Sequence, residues 1–235
     1  METKVSEYKR PADYENYAVD LNKVYYHRII ADAHRFATPG ADRKLLDVGC
    51  YDGTLAAQFL PHWDVYGLEG DLKGAETANR RGVKTTLHDL EKPFPFPDGT
   101  FDCVLAAEII EHVYDTDQFL REVKRVLKKD GVLVMSIPNI ACLSNRIGML
   151  FGKYPRYAEY RAGGAGHIRV YTATAIRQQL IDNGLDVLRY VGCNLPLPMH
   201  KTWIPSWIKK IAVKGGDYFP TIAGQVILTA KISSR

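Results

Sequence analysis

The segment Leu45-Leu46-Asp47-Val48-Gly49-Cys50-Tyr51-Asp52-Gly53 joins an apolar run, a glycine turn and two carboxylates in one short stretch. A buried strand that enters such a turn and then opens a helix brings bare main chain and free N–H groups to one spot, a nucleotide-binding geometry. Glu69 follows Gly49 by 20 positions, where the end of a second strand aims a carboxylate at both hydroxyls of a ribose. His88-Asp89-Leu90 closes a third strand and offers a carboxylate for an adenine amine beside an apolar side chain for the ring face.

Charge separates the two nucleotide classes that use this layout. A dinucleotide brings a pyrophosphate and wants a G-x-G-x-x-G turn free of anions; here the turn is Gly49-x-x-x-Gly53 with Asp47 and Asp52 beside it. S-adenosylmethionine carries a sulfonium and an α-ammonium, which the same carboxylates attract. Asp52 reads more simply as a helix cap.

Positioning these groups requires strands alternating with helices. Strands are expected at 44–48, 64–68, 83–87, 101–106 and 132–137, with helices at 54–60, 71–80 and 116–126 between them. Five such strands imply parallel pairing through right-handed crossovers, hence a doubly wound α/β sheet with helices on both faces. An N-terminal helix is expected at 14–36, and beyond Asn139 helices at 143–151 and 172–183 and strands at 185–191 and 225–232. The stretch 195–220 holds four prolines with Trp203 and Trp207.

With 235 residues, 46% of them hydrophobic, the chain can bury one substantial core, so a single domain is expected over 1–235: a helical cap at 14–40, a cofactor-binding core at 44–139 and an acceptor-side region at 140–235. A net charge of +4, spread along the chain, is too diffuse for a nucleic-acid footprint. Cys50, Cys103, Cys142 and Cys193 form no CxxC pair and fit a reducing compartment, so a cytoplasmic protein is expected. No apolar run is long enough to span a bilayer.

The run Asp47-Val48-Gly49-Cys50-x-Asp52-Gly53, Glu69, Asp89-Leu90, Phe96-Pro97-Asp98-Gly99-Thr100-Phe101-Asp102, Glu108-Ile109-Ile110-Glu111-His112-Val113 and Leu127-Lys128-Lys129-Asp130-Gly131, in that order and spacing, resembles class I S-adenosylmethionine-dependent methyltransferases. It is most similar to the ubiquinone-biosynthesis type and to the W-like proteins of methionine biosynthesis, and His167-Ile168-Arg169-x-Tyr171-Thr172 continues the pattern. The resemblance implies a Rossmann-like, mostly parallel seven-stranded sheet with an antiparallel last strand, which 225–232 would supply. It implies that Asp47, Gly49, Gly53 and the Cys50-Tyr51 backbone line the methionine part of S-adenosylmethionine, that Glu69 holds the ribose, and that Asp89 with Leu90 holds adenine. Ala107 and Glu108, with His112 beyond them, would face the sulfonium and the acceptor. Many relatives have glycine where this chain has Tyr51, and a left-handed backbone there would strain a tyrosine.

His112 and His167 are the histidines expected to move a proton, since each follows a strand end that borders the cleft. Glu111 reads as a solvated helix start, and Glu108 as either a ligand contact or a loop anchor. No histidine pair has the spacing of H-E-x-x-H, so no metal is expected. The 203–211 stretch, with Trp203, Trp207, Ile208 and Ile211 among lysines, reads as a packed helix, a pocket lid or a peripheral membrane contact. Tyr154, Tyr157 and Tyr160 among basic residues read as a substrate loop or a plain exposed one.

The activity expected is methyl transfer from S-adenosylmethionine to an oxygen, nitrogen or carbon of a small or medium-sized acceptor, such as a lipid-linked, quinone-like, glycan or natural-product intermediate, leaving S-adenosylhomocysteine. No base-methylation motif is present, so no nucleic-acid partner is expected. The alternatives are a cofactor-binding partner protein of the W-like type without transfer activity, and a nicotinamide oxidoreductase.

Overall fold

The computed structural model describes residues 24–38, 40, 42–158, 166–193, 195 and 205–234. The expected 14–36 helix is described from Val24, as α1 (Val24–Phe36), and its earlier residues lie outside the described ones, as do Tyr160, Trp203 and Ile204. Seven strands follow: β1 (Lys44–Val48), β2 (Asp64–Glu69), β3 (Lys84–Leu87), β4 (Phe101–Ala107), β5 (Leu127–Pro138), β6 (Leu185–Gly192) and β7 (Gln225–Ile232). They form one sheet in the order β3-β2-β1-β4-β5-β7-β6. β1 through β5 pair in parallel, and β7 lies antiparallel to both β5 and β6. The doubly wound sheet expected from the alternation is therefore present, with its antiparallel last strand inserted between β5 and β6.

Why the strands read as unbroken apolar runs is clear from the two cores. In β4, Val104 and Ala106 point to one face and Cys103 and Leu105 to the other, and β5 divides Leu133, Met135 and Ile137 from Val132 and Val134 in the same way. The first face is covered by α3 (Thr116–Val126) and α5 (Ala173–Asp182) through Phe119, Leu120, Val123, Ile176 and Leu180; the second by α1 and α2 (Leu72–Arg80) through Ile29, Ala33 and Ala78. Side-chain caps start three of these helices: Asp71 accepts from Gly74 N at 2.8 Å, Asp115 from Gln118 N at 2.9 Å and Thr172 from Ala175 N at 3.1 Å.

One expected helix is not formed, β5 starts at Leu127 rather than at the expected Val132, and a helix is described from Ser206 on within the 203–211 stretch. The 54–60 segment holds only a 3-10 turn, Ala56–Phe59, because Asp52 Oδ1 takes Thr54 N in a local turn and Pro61 leaves no room for a second helical turn. After the short α4 (Leu143–Leu150), the proline-rich stretch carries a real helix, α6 (Ser206–Tyr218), starting directly after Pro205. Trp207 and Ile211 on it are exposed. Among the described residues no helix is long and apolar enough to cross a membrane.

Asn139, fully buried just past β5, ties the C-terminal half together. Its Nδ2 donates to the carbonyls of Thr221 and Ala223, and its Oδ1 accepts from Ala141 N and Ala173 N. The Pro138-Asn139 pair is thus a structural staple that holds the 166–173 segment beside the ends of β4 and β5.

Candidate active site

The chain order reverses between β1 and β4, and a doubly wound sheet opens its crevice at such a switch point, beyond the strands' C-terminal ends. Asp47 to Gly53 follow β1 there, Glu69 ends β2, and Ala107 to His112 follow β4. His167 joins them from far along the chain. Glu111 O accepts from both Ile168 N (3.0 Å) and Arg169 N (3.1 Å), which docks the 166–169 segment onto the 3-10 turn Ile110–His112.

The glycine turn is closed inward. Gly49 N and Cys50 N both donate to Leu68 O, at 2.8 and 3.1 Å, Tyr51 N donates to Glu69 Oε2 at 2.7 Å, and Gly53 N donates to Cys50 O at 2.9 Å. With those N–H groups spent, and a four-residue 3-10 turn in place of an α-helix behind them, the free N-terminal cradle expected from the sequence is absent. Gly49 and Gly53 both have left-handed backbones, with φ of +74° and +75°. A Cβ on Gly53 would stand 2.9 Å from the Ala78 main chain, so close helix packing also demands that glycine. The Cys50 side chain turns away into the second core, where a Cβ on Gly67 would meet its sulfur at 2.6 Å, leaving only its backbone to the crevice.

Two non-glycine residues at the crevice share the left-handed conformation, Tyr51 at φ +50° and Glu108 at φ +53°. Strain of this kind collects where function fixes the backbone. The strain foreseen for Tyr51 is therefore real, and the Glu69 bond to its N–H holds it. Because alanine keeps the strain and glycine removes it, Tyr51→Gly is expected to unfold at higher denaturant than Tyr51→Ala, by about 1 kcal/mol, in paired urea melts.

Electrostatically the crevice is anionic. Asp47 is 2% exposed, and its carboxyl has no hydrogen-bond partner among the described residues. Burial, and secondarily the neighbouring Glu69 charge, push its pKa up to about 8. Glu69 is buried as well, with Oε2 on Tyr51 N and Oε1 on Asp71 N (2.9 Å), so its carboxylate is fixed in orientation with lone pairs left over for further donors. On the other side Glu108 Oε2 accepts from Gln225 Nε2 at 3.1 Å, which anchors it to β7. Tyr25 and Tyr26 of α1 pack over this mouth; their hydroxyls are raised above the usual range, first by burial and then by nearby carboxylates, Glu108 for both and Asp47 for Tyr26.

Glu111 overturns the solvated-helix-start expectation. It is 1% exposed, and neither carboxyl oxygen has a side-chain hydrogen-bond partner among the described residues. Its pKa is raised by burial and by Glu108. The His167 Nε2 stands 4.0 Å from Glu111 Oε1, and the His112 and His167 rings are 4.9 Å apart. The other sequence candidates lie differently. Asp52 caps no helix: it accepts from Thr54 N in a local turn and pairs with Arg81 at 3.0 Å, while Leu55 begins the 3-10 turn with no side-chain cap. Asp89 is exposed beyond β3 and pairs with Lys92 at 3.6 Å, Leu90 packs on the first core, and Ala107 borders the second. Sequence reasoning missed Tyr25, Tyr26 and Gln225, which only the tertiary packing brings to the crevice; for Glu111 the signal was present, a Glu-x-x-Glu-His run at a strand end.

A crevice with buried carboxylates and no open N–H cradle repels a diphosphate and attracts a cation. Comparison with known proteins agrees. A methyltransferase-domain family model matches residues 21–190. A probable S-adenosylmethionine-dependent methyltransferase of Mycolicibacterium smegmatis is 33% identical over 129 residues, covering 53% of this chain and 47% of that protein. A ubiquinone biosynthesis O-methyltransferase of Pelagibacter ubique is 34% identical over 101 residues, covering 41% and 42%. The chain spans less than half the length of these curated relatives. Among solved structures, a possible histamine N-methyltransferase from Thermotoga maritima superposes with a TM-score of 0.65 at 18% identity over 94% of this chain and 97% of its own. A geranyl diphosphate C-methyltransferase from Streptomyces coelicolor, solved with Mg2+, geranyl diphosphate and S-adenosyl-L-homocysteine, gives 0.57 at 18% identity over 95% and 87%.

Proposed function

The chain belongs to the family of class I S-adenosylmethionine-dependent methyltransferase domains, and on that premise we propose that it moves the methyl group of S-adenosylmethionine to a nucleophilic atom of a small or medium-sized acceptor. The observation that carries this reading is the buried Asp47 carboxyl, without a hydrogen-bond partner among the described residues, beside Glu69 at the β1 turn. A carboxyl held in that state is stabilised by an arriving ammonium and penalised by a phosphate.

When bound, S-adenosylmethionine supplies a methyl group on a sulfonium, already a good leaving group. The chain's part is to hold, orient and dry. Asp47 takes the α-ammonium, the Gly49–Gly53 backbone lies along the methionine, Glu69 accepts from the ribose hydroxyls, and Asp89 with Leu90 borders the adenine. Ala107 and strained Glu108 bound the reacting end, and His112 and His167 stand on the acceptor side, placed to receive its proton. In this reading 44–139 is the cofactor core, 140–235 the acceptor side and 14–40 a cap, all one domain. The exposed Ile147, Leu150 and Phe151 at α4, with Trp207 and Ile211 on α6, support a partly apolar acceptor of the lipid-linked or quinone-like kind.

Incubation with methyl-labelled S-adenosylmethionine and fractionated phenolic, lipid and glycan extracts tests this. Label is expected in an acceptor fraction, and His167→Ala is expected to cut its rate by about 100-fold while S-adenosylhomocysteine affinity stays within twofold. Cofactor binding with no transfer to any fraction would favour a binding or regulatory role instead.

A further inference from the structure

Glu111 poses a problem that methyl transfer alone does not solve. A carboxyl 1% exposed with no hydrogen-bond partner among the described residues is expensive, and native structures keep such a group only for a reason. Its surroundings supply one. One side-chain donor atom from each of Glu111, His112 and His167 lies within 4.8 Å of the other two. His112 Nδ1 lies 3.0 Å from Gly166 O, and His167 Nδ1 lies 3.0 Å from Tyr157 O. A carbonyl only accepts, so each neutral ring carries its proton on Nδ1 and presents Nε2 as the lone-pair atom, which is how metal-ligating histidines are usually oriented.

We propose that Glu111, His112 and His167 bind one divalent transition-metal ion, of the Mn2+, Co2+ or Zn2+ class, and that its open positions hold the nucleophilic oxygen of the acceptor. Two imidazoles and one carboxylate suit such ions better than Mg2+ or Ca2+, and three protein ligands leave coordination sites for substrate. Ligands ~2.1 Å from a common ion stand ~3 to 3.4 Å apart, so the 4.0 Å between His167 Nε2 and Glu111 Oε1, within a set spread over 4.8 Å, closes with side-chain shifts of about 1 Å. The two bonds from Glu111 O to the 168–169 main chain already fix the loop that brings His167.

The metal site stands on its own geometry, whereas its use in catalysis rests on the methyl-transfer reading. With the ion bound, His112 and His167 would serve as its ligands and not as proton acceptors; coordination would acidify an acceptor hydroxyl, whose proton passes to water before the transfer. The O–C bond then forms as the C–S bond breaks, and S-adenosylhomocysteine departs with the electron pair. The acceptor class this selects is one with a hydroxyl, best beside a second oxygen, as in a catechol or vicinal diol.

The test uses the full chain, stripped with chelator and titrated with Co2+, followed by its visible absorption, with S-adenosylhomocysteine affinity measured separately by calorimetry. One Co2+ per chain is expected, together with a raised melting temperature. Glu111→Gln and His167→Ala are expected to weaken Co2+ at least tenfold, with S-adenosylhomocysteine affinity within twofold of wild type. The proposal is overturned if the wild type binds S-adenosylhomocysteine but shows no Co2+ spectrum at millimolar metal, or if Glu111→Gln binds Co2+ as the wild type does. Co2+ binding without S-adenosylhomocysteine binding would leave the metal site standing and remove the methyl-transfer reading. Should a variant fail to fold, the wild-type spectrum and stoichiometry decide.

Discussion

Glu69→Ala is expected to raise the dissociation constant for S-adenosylhomocysteine by about 100-fold, the largest single effect at the site. Two hydroxyl-to-carboxylate bonds to the ribose are worth about 1.5 to 3 kcal/mol each, and the free ligand regains water bonds in exchange, so a net loss of about 3 kcal/mol is the central figure. The substitution also frees Tyr51 N and Asp71 N from their acceptors, which loosens the left-handed turn that Tyr51 tolerates only under restraint. Glu69→Gln separates the two contributions. Its amide oxygen keeps one backbone acceptor, so its urea midpoint is expected between those of wild type and the alanine variant, while calorimetry still shows at least a tenfold loss in affinity. Equal affinity in wild type and Glu69→Gln would remove Glu69 from the ribose.

Asp47→Asn is expected to act through pH. In the unliganded protein burial lifts the Asp47 pKa to about 8, so at pH 6 it carries a proton that a bound ammonium must displace. Affinity for S-adenosylhomocysteine should therefore climb between pH 6 and pH 8, by up to about tenfold per unit at the low end, as binding pulls the proton off. The asparagine cannot lose a proton, so its profile over this range should be flat and its affinity at pH 8 lower by about 10 to 100-fold. Stability runs the opposite way. The folded pKa lies above the unfolded one, so the apoprotein loses stability as pH rises from about 4 to 8, by at most about 1.4 kcal/mol per unit, and Asp47→Asn should be the more stable apoprotein above pH 7. A wild-type binding profile as flat as that of the variant would contradict the assignment.

Most of the scaffold was legible because local signals agreed with the tertiary fold. Apolar runs bounded by Gly and Pro gave β1 to β5 to within a few residues, and the caps Asp71, Asp115 and Thr172 stand where capping chemistry puts them. The first strand end was legible for the same reason: Asp47, Gly49, Gly53 and Glu69 lie close in sequence to the strands that carry them. What failed to show was non-local. The turn after Gly53 was read as a helix because its residues suit one, yet Asp52 and Pro61 confine it to four residues. Glu111 was read as exposed because a glutamate at a helix start usually is, and its burial depends on the 166–169 segment docking over it. The tyrosines of α1 carry no motif at all, since only the packing of α1 against β5 and β7 brings them near Glu108 and Asp47.

On the methyl-transfer reading, the acidic crevice beyond β1, β2 and β4 accepts a cationic adenosyl amino acid and refuses a dinucleotide. Calorimetric titration of the full chain at pH 7 with S-adenosylhomocysteine and, separately, with NADH tests it most directly. The predicted result is saturable binding of S-adenosylhomocysteine with release of nearly one proton, and no measurable heat with NADH; tight NADH binding, or no uptake of S-adenosylhomocysteine, would contradict the account.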